Sequence, residues 1–223
     1  MITGARSFFM LVSNPTFTSA SISAIMNNTI THLAEFILAS QSPRRKALLQ
    51  QAGLVFSVVP SGIDESGNAA SCPENFCSSL ALEKAKDIAT RHPDSVVIGA
   101  DTIVVIDGKI LGKPEDPKDA RNMLKSLSGR THAVYTGFAV VCESRHHMHN
   151  AYAKTSVTFK PLTERDIEWY VGTEEPYDKA GAYAIQDLGT MLVKSIEGSY
   201  TNVVGLPVCE VMDHLIKSGF LSL

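Results

Sequence analysis

The sequence lacks most of the features that would place it in a familiar class. No apolar run approaches the roughly 20 residues needed to span a bilayer, so neither a transmembrane helix nor a membrane partner is expected. The four cysteines, Cys72, Cys77, Cys142 and Cys209, have no CxxC spacing. That excludes the usual zinc pattern and a disulfide framework, and it points to a reducing compartment. There is no basic excess. With 20 Lys and Arg against 23 Asp and Glu the formal net charge is −3, so no nucleic-acid polymer is expected as a partner. An anionic ligand would need a local basic cleft. The P-loop, GxGxxG, GxSxG and HExxH motifs are all missing, so a P-loop kinase, an NAD enzyme, an α/β-hydrolase and a zincin each lack their signature. There is no internal repeat.

What is present fits an ordinary globular protein. Charged residues are 19% and apolar residues 44% of 223, enough to bury one large core or two lobes sharing a sheet. Residues 1–33 differ in kind. They are rich in Ser, Thr and Asn, with Arg6 as the single Lys or Arg, and the apolar stretch Phe8 to Val12 is short for a signal peptide. We read them as a weakly ordered extension or an upstream start ahead of Met26, with organellar targeting as the open alternative. The folded unit is then 34–223.

The stretch FILASQSPRRKALLQQAG, Phe36 to Gly53, is the most informative. Its apolar start suits a buried strand. Ser42 is a good helix N-cap, Pro43 fits the first helical position and Gly53 is a good stop. Arg44 and Arg45 sit in the first helical turn, where cations are disfavoured. Either the pair is solvated surface or the turn is built to hold an anion such as a phosphate. Downstream, a strand is expected at Val55–Val59 and a helix from Ser71 to about Arg91. Strands are expected at 96–98 and 102–106 with Asp101 between them, and Asp107-Gly108 marks a hairpin turn. Further expectations are a helix from Asp116-Pro117 to Leu127, strands 131–142 and 151–159 joined across SRHHMHN, a helix from 164 to 170, a loop from 174 to 189, a strand at 190–196 and a helix from 206 to 217. Strands and helices mix without clean βαβ alternation, so the fold class is α/β with a mixed sheet flanked by helices.

Several residues could carry chemistry. Asp101 follows a buried run, where it could bind a metal, take a proton from water, or merely cap a turn. Lys84 and Lys113 gain meaning only if the fold brings them beside Arg44 and Arg45, giving four positive charges suited to a polyphosphate. Asp64 and Glu65, on a Gly- and Ser-rich loop, could ligate a divalent cation or be solvated. Gln186 has the donors and acceptor needed to read a base edge, or it is a turn amide. His146, His147 and His149 read as an exposed hairpin connection.

Five blocks then combine: LASQSPRRKALL, GADTIVV, LGKPEDPKDARNMLKSLSGRTHAVYTG, DKAGAYAIQ and IEGSYTNVVGLPV. In order and spacing they resemble the Maf family of nucleotide pyrophosphatases, from about Phe36 to the C-terminus. The resemblance implies hydrolysis of a nucleoside triphosphate partner to a monophosphate and pyrophosphate, with a divalent metal cation (Mg²⁺, Mn²⁺ or Co²⁺). It implies an elongated mixed sheet in two lobes with a central cleft, similar to inosine triphosphatase-like enzymes. It also implies a cytoplasmic location and leaves a homodimer open. By position, Asp101 matches the family's proton acceptor, and Ser40, Arg44 and Arg45 match its phosphate-binding turn. Lys84, Lys113 and Glu65 match polar site positions, with Asp101 and Glu65 as metal ligands. Arg45, Thr102 and Gln186 look like the trio of the branch acting on dTTP and UTP. A nucleotide-binding regulator of septum formation and a purine (inosine or xanthosine) triphosphate pyrophosphatase are the rival readings.

Overall fold

The computed structural model describes residues 30–63 and 72–223. The proposed extension up to residue 29, and the loop carboxylates Asp64 and Glu65, lie outside the described residues. In chain order the elements are β1 (Thr31–His32), β2 (Phe36–Leu38), α1 (Pro43–Gln51), β3 (Ser57–Val58), α2 (Pro73–Ala89), β4 (Val96–Ile106), β5 (Lys109–Leu111), α3 (Pro117–Leu127), β6 (Thr131–Cys142), β7 (His147–Phe159), α4 (Glu164–Val171), β8 (Val193–Glu197), α5 (Tyr200–Val204), α6 (Val208–Lys217) and β9 (Leu221–Ser222). Three short 3₁₀ turns, Glu175–Asp178, Ala180–Ala182 and Asp187–Met191, fill the stretch before β8. Among the described residues no helix is long and apolar enough to cross a membrane.

The main sheet is mixed, in the order β3-β2-β4-β6-β7-β8, with β5 joined to β4. β1 and β9 form a separate antiparallel pair. The long strand β4 organises the molecule. One of its edges pairs with β6 from Val97 to Val105. Its other edge changes partner. Residues 96–98 pair in parallel with β2, and residues 104–106 pair antiparallel with β5. Between these two pairings, residues 99–103 have no strand neighbour on that edge among the described residues. β2 runs toward this gap and ends in the turn before α1, while β5 runs toward it from the opposite direction and ends before Lys113.

Helices cover both faces. On one, α2 lays Ala81, Ala85 and Ile88 against Ile37, Val97, Ala139 and Val141. Its approach is set by two glycines. A Cβ on Gly99 would lie 2.3 Å from the Ala81 carbonyl oxygen, and one on Gly137 would lie 2.2 Å from that of Cys77. On the other face are two apolar clusters. Phe36, Leu38, Leu49, Ile98, Leu206 and Leu215 join β2, α1 and α6 at one end. Val104, Leu124, Leu127, Phe159 and Tyr170 join β4, α3 and α4 at the other. The β4 gap lies between them, so the expected mixed sheet with a central cleft is the observed architecture.

Three local expectations are corrected. β4 is one continuous strand through Asp101, because Gly99 and Ala100 thin the side chains to admit α2 without ending the strand. β7 begins at His147, so only Glu143–His146 form the connection, and His147 and His149 are half-buried strand residues. They meet α6, where His147 Nε2 is 2.9 Å from His214 Nε2 and His149 stacks on His214 at 3.7 Å. Burial, reinforced by these neighbours, lowers His214 to about 4. Finally, α5 stands where no element was expected.

Candidate active site

A cleft of about 670 Å³ occupies the β4 gap. Its walls are the turn after β2, the middle of β4, the chain leaving β5, and the loop carrying residues 178–186. Alternate side chains of a strand face opposite sides. Asp101 therefore shares the α2 face with Gly99, while Thr102 looks toward α1 and α5.

Asp101 is buried, and α2 delivers Lys84 to it. The Lys84 Nζ lies 2.7 Å from the Asp101 carboxylate, with the two side chains 9% and 10% exposed. That placement follows from the glycine-lined contact between helix and sheet, since a farther helix would leave the lysine in solvent. A buried ion pair is weak evidence for stability, because desolvation offsets most of the attraction. Both residues line the cleft, where convergent polar groups mark a candidate ligand site. The Asp101 charge is felt nearby: burial, and then that carboxylate, push the Cys77 thiol up to about 12.

α1 starts as its sequence predicts. The Ser42 side chain accepts from the Arg45 N–H at 3.4 Å, Pro43 fills the first turn, and Gly53 follows with φ +78°. The two arginines diverge. Arg45 turns inward, where its Nε donates to the Gly205 carbonyl at 2.8 Å. Its terminal nitrogens donate to Ser40 Oγ at 3.0 Å and Thr102 Oγ1 at 3.1 Å. Thr136 donates to the Asn202 carbonyl at 2.9 Å and lies 3.0 Å from Thr102 Oγ1. With the Thr136 proton on Asn202, the Thr102 hydroxyl has Thr136 Oγ1 and, at 3.4 Å, the Gly205 carbonyl as its acceptors. Arg45 is the outer end of a polar chain reaching the fully buried Asn202.

Arg44 crosses the cleft mouth instead and donates to Asp178 at 3.0 Å. Asp178 also accepts from Lys179 at 2.5 Å. Burial alone would raise the Asp178 carboxyl, but the bonds from Lys179 and Arg44 hold it below its ordinary range. The loop bearing these residues is pinned. Glu175 accepts from Tyr170 Oη, Leu188 N–H and Gly189 N–H. Gly181, with φ +70°, donates its N–H to Gly112 and packs on Val104, where a Cβ would come within 3.0 Å.

The structure thus brings Ser40, Arg44, Arg45, Lys84, Asp101, Thr102, Lys113 and Gln186 to one cleft. Lys113 is exposed at its rim and Gln186 is half-buried. Glu65 lies outside the described residues. Asp178 and Lys179 also line the cleft, although residue-by-residue reading did not single them out. Their signal was the block DKAGAYAIQ, whose small residues seat the loop on β4. The histidines are elsewhere, with His149 and His214 lining a separate shallow groove.

Among the described residues there is no group of three His, Cys, Asp or Glu side chains able to hold a metal alone. Asp101 nevertheless fits the mode in which Mg²⁺-like ions are bound through one or two carboxylates plus substrate phosphates.

A model of the Maf-like protein family matches residues 35–218. The dTTP/UTP pyrophosphatase of Syntrophus aciditrophicus (strain SB) is 48% identical over 188 residues, covering 84% of this chain and 92% of its own. That of Moorella thermoacetica is 51% identical over 187 residues, covering 84% and 96%. Among solved structures, the Staphylococcus aureus Ham1 protein aligns at TM-score 0.48 and 13% identity, covering 83% of this chain and 99% of that one.

Proposed function

The chain belongs to the Maf-like family, and from that membership we infer that it is a nucleoside triphosphate pyrophosphatase. It hydrolyses dTTP, UTP and modified pyrimidine analogues at the α-phosphorus, releasing a nucleoside monophosphate and pyrophosphate, in the manner of nucleotide-pool house-cleaning. The curated relatives carry the name dTTP/UTP pyrophosphatase. The observation that carries the reading is a buried carboxylate at the centre of a cleft lined by Arg44, Arg45, Lys84, Lys113 and Lys179.

In this mechanism the triphosphate lies across the N-terminus of α1, where free N–H groups and the helix dipole favour an anion. Arg44, Lys113 and Lys179 offset its charge and that of the departing pyrophosphate. Asp101 accepts the proton of the attacking water. Lys84 balances the Asp101 charge from behind, so the carboxylate can stand among phosphates. A divalent cation (Mg²⁺, Mn²⁺ or Co²⁺), held by Asp101 with Glu65 and the phosphate oxygens, supplies further charge neutralisation when bound. Arg45 works through what it holds: it fixes Ser40 and Thr102, and Thr102 sets the sugar or base. Gln186 presents its amide to the pyrimidine edge.

The working unit is 34–223 with 1–33 as an extension, except that Thr31 and His32 at its end pair with β9 and so join the folded unit. We place the enzyme in the cytoplasm, where its nucleotide substrates are. The decisive experiment is pyrophosphate release across canonical, modified and deaminated nucleotides with each of the three metals. The reading predicts turnover led by dTTP and UTP, and no release from any of them would refute it. Gln186→Ala should cut the preference for UTP over CTP by about tenfold, as expected when one base-reading amide is lost.

A further inference from the structure

Among the described residues, Asp178 is the acidic side chain lining the cleft that the mechanism above does not use. It is an exposed carboxylate joined at once to two cations of the phosphate-binding set, Arg44 and Lys179. Arg44 comes from α1, whose Leu48 and Leu49 belong to the β2–α6 cluster. Asp178 and Lys179 sit between Tyr177 and Ala180, which pack on the α3–α4 cluster. The Arg44–Asp178 bond therefore spans the cleft mouth from one half of the core to the other. The carboxylate is held from behind: Tyr177 Oη donates to the Val171 carbonyl at 2.8 Å, and Lys179 Nζ donates to the Glu175 carbonyl at 2.7 Å.

We propose that Asp178 is a positioning residue that stands in for a substrate phosphate. In the empty enzyme it keeps Arg44 and Lys179 oriented at the mouth of the cleft, and it yields them to the incoming polyphosphate. This rests on the pyrophosphatase reading, which it deepens by assigning the terminal phosphates to the Arg44–Lys179 side. Two properties fit the role. A carboxylate and a phosphate oxygen offer these cations the same kind of acceptor, so one can replace the other without new geometry. The Asp178 side chain is 59% exposed while Arg44 and Lys179 are 27% and 12% exposed, so the carboxylate is the member of each pair that solvent screens and a polyanion can replace. A buried pair like Lys84–Asp101 could not be exchanged so readily.

The proposal predicts an unusual sign. Removing the charge should tighten polyphosphate binding, because a competitor is lost. For Asp178→Asn, the Kd for inorganic tripolyphosphate, measured by calorimetry without metal, and the KM for UTP should both fall by about three- to tenfold, the range of one or two ion pairs open to solvent on the carboxylate side. The kcat should stay within about twofold, and Asp178→Glu should bind like the wild type. Asp178→Ser serves as a second neutral variant should the Asn form fold poorly. In an Arg44→Gln background the effect of Asp178→Asn should shrink. Unchanged or weaker tripolyphosphate binding in both neutral variants overturns the proposal, as does wild-type protein that binds no tripolyphosphate. A collapse of kcat at constant KM also overturns it, because the carboxylate would then belong to the chemistry. Failure of the underlying reading looks different: the wild-type protein would release pyrophosphate from no nucleotide, whatever the binding results.

Discussion

Replacing Asp101 by Asn tests the centre of the site with little change of shape. The carboxylate is buried, with Lys84 Nζ at 2.7 Å. The amide keeps an oxygen to accept from Lys84 but loses the charge and the basicity. Two losses should follow, and they can be separated. Catalysis should fall by about 10²- to 10⁴-fold in kcat, the range for removing a general base. Stability should fall by about 3 kcal/mol, the lower end for neutralising one member of a buried pair, since an acceptor remains. For a chain of this size that is a drop of about 6–12 °C in Tm. Pyrophosphate release from UTP, measured well below the lowered Tm, gives the first number, and a thermal melt gives the second. Lys84→Met combined with Asp101→Leu should recover much of the stability, because two apolar side chains of similar bulk avoid the desolvation cost, yet it should remain inactive. Activity within tenfold of wild type in the Asn variant would refute the role of Asp101. So would activity that returns in the stabilised double variant.

Other outcomes follow from particular contacts. Arg45→Lys should raise KM and lower kcat/KM by about tenfold or more in steady-state assays, since one ammonium cannot reach Gly205, Ser40 and Thr102 together as the guanidinium does. Gly99→Ala should cost at least about 2 kcal/mol in urea unfolding, because its Cβ would meet the Ala81 carbonyl at 2.3 Å. The same variant should lose activity as α2 carries Lys84 away from Asp101. Burial lowers His132 to about 4, so the folded state resists its protonation. The unfolded chain then binds more protons than the native one between about pH 6.5 and pH 4. His132 therefore contributes stability that is complete above pH 6.5 and is lost as the pH falls to about 4, on the order of 3 kcal/mol in all. Urea midpoints across that range should flatten in His132→Gln relative to wild type.

Local signals carried the sequence reading furthest. The bounds of α1 were legible because a cap and a proline act at adjacent residues at its start and a glycine acts just past its end. The Asp107-Gly108 hairpin and the cap at Asp116 were legible for the same reason. Arg44 and Arg45 looked equivalent because no local rule distinguishes two arginines in one helical turn. Their separation comes from Gly205 and Asp178, which are 160 and 134 residues away. Lys84 looked like a solvated helical lysine, and its burial depends on Gly99 and Gly137 bringing α2 onto the sheet. The break expected at Asp101 failed because small residues in a strand can signal a close neighbour as well as an end. His147 and His149 looked like loop residues because their partner, His214, is on a helix near the other end of the sequence.

The change of partner along β4 bears on how such a site can evolve. Asp101 sits on a strand held along its whole opposite edge by β6, while the surrounding side chains come from turns and loops that end independently at the gap. Mutations in the turn after β2, in the chain after β5 or in the loop from 178 to 186 can reshape the pocket without shifting the Asp101 carboxylate. Ligand preference and chemistry are therefore separately inheritable traits in this architecture. Drift in the first leaves the second intact.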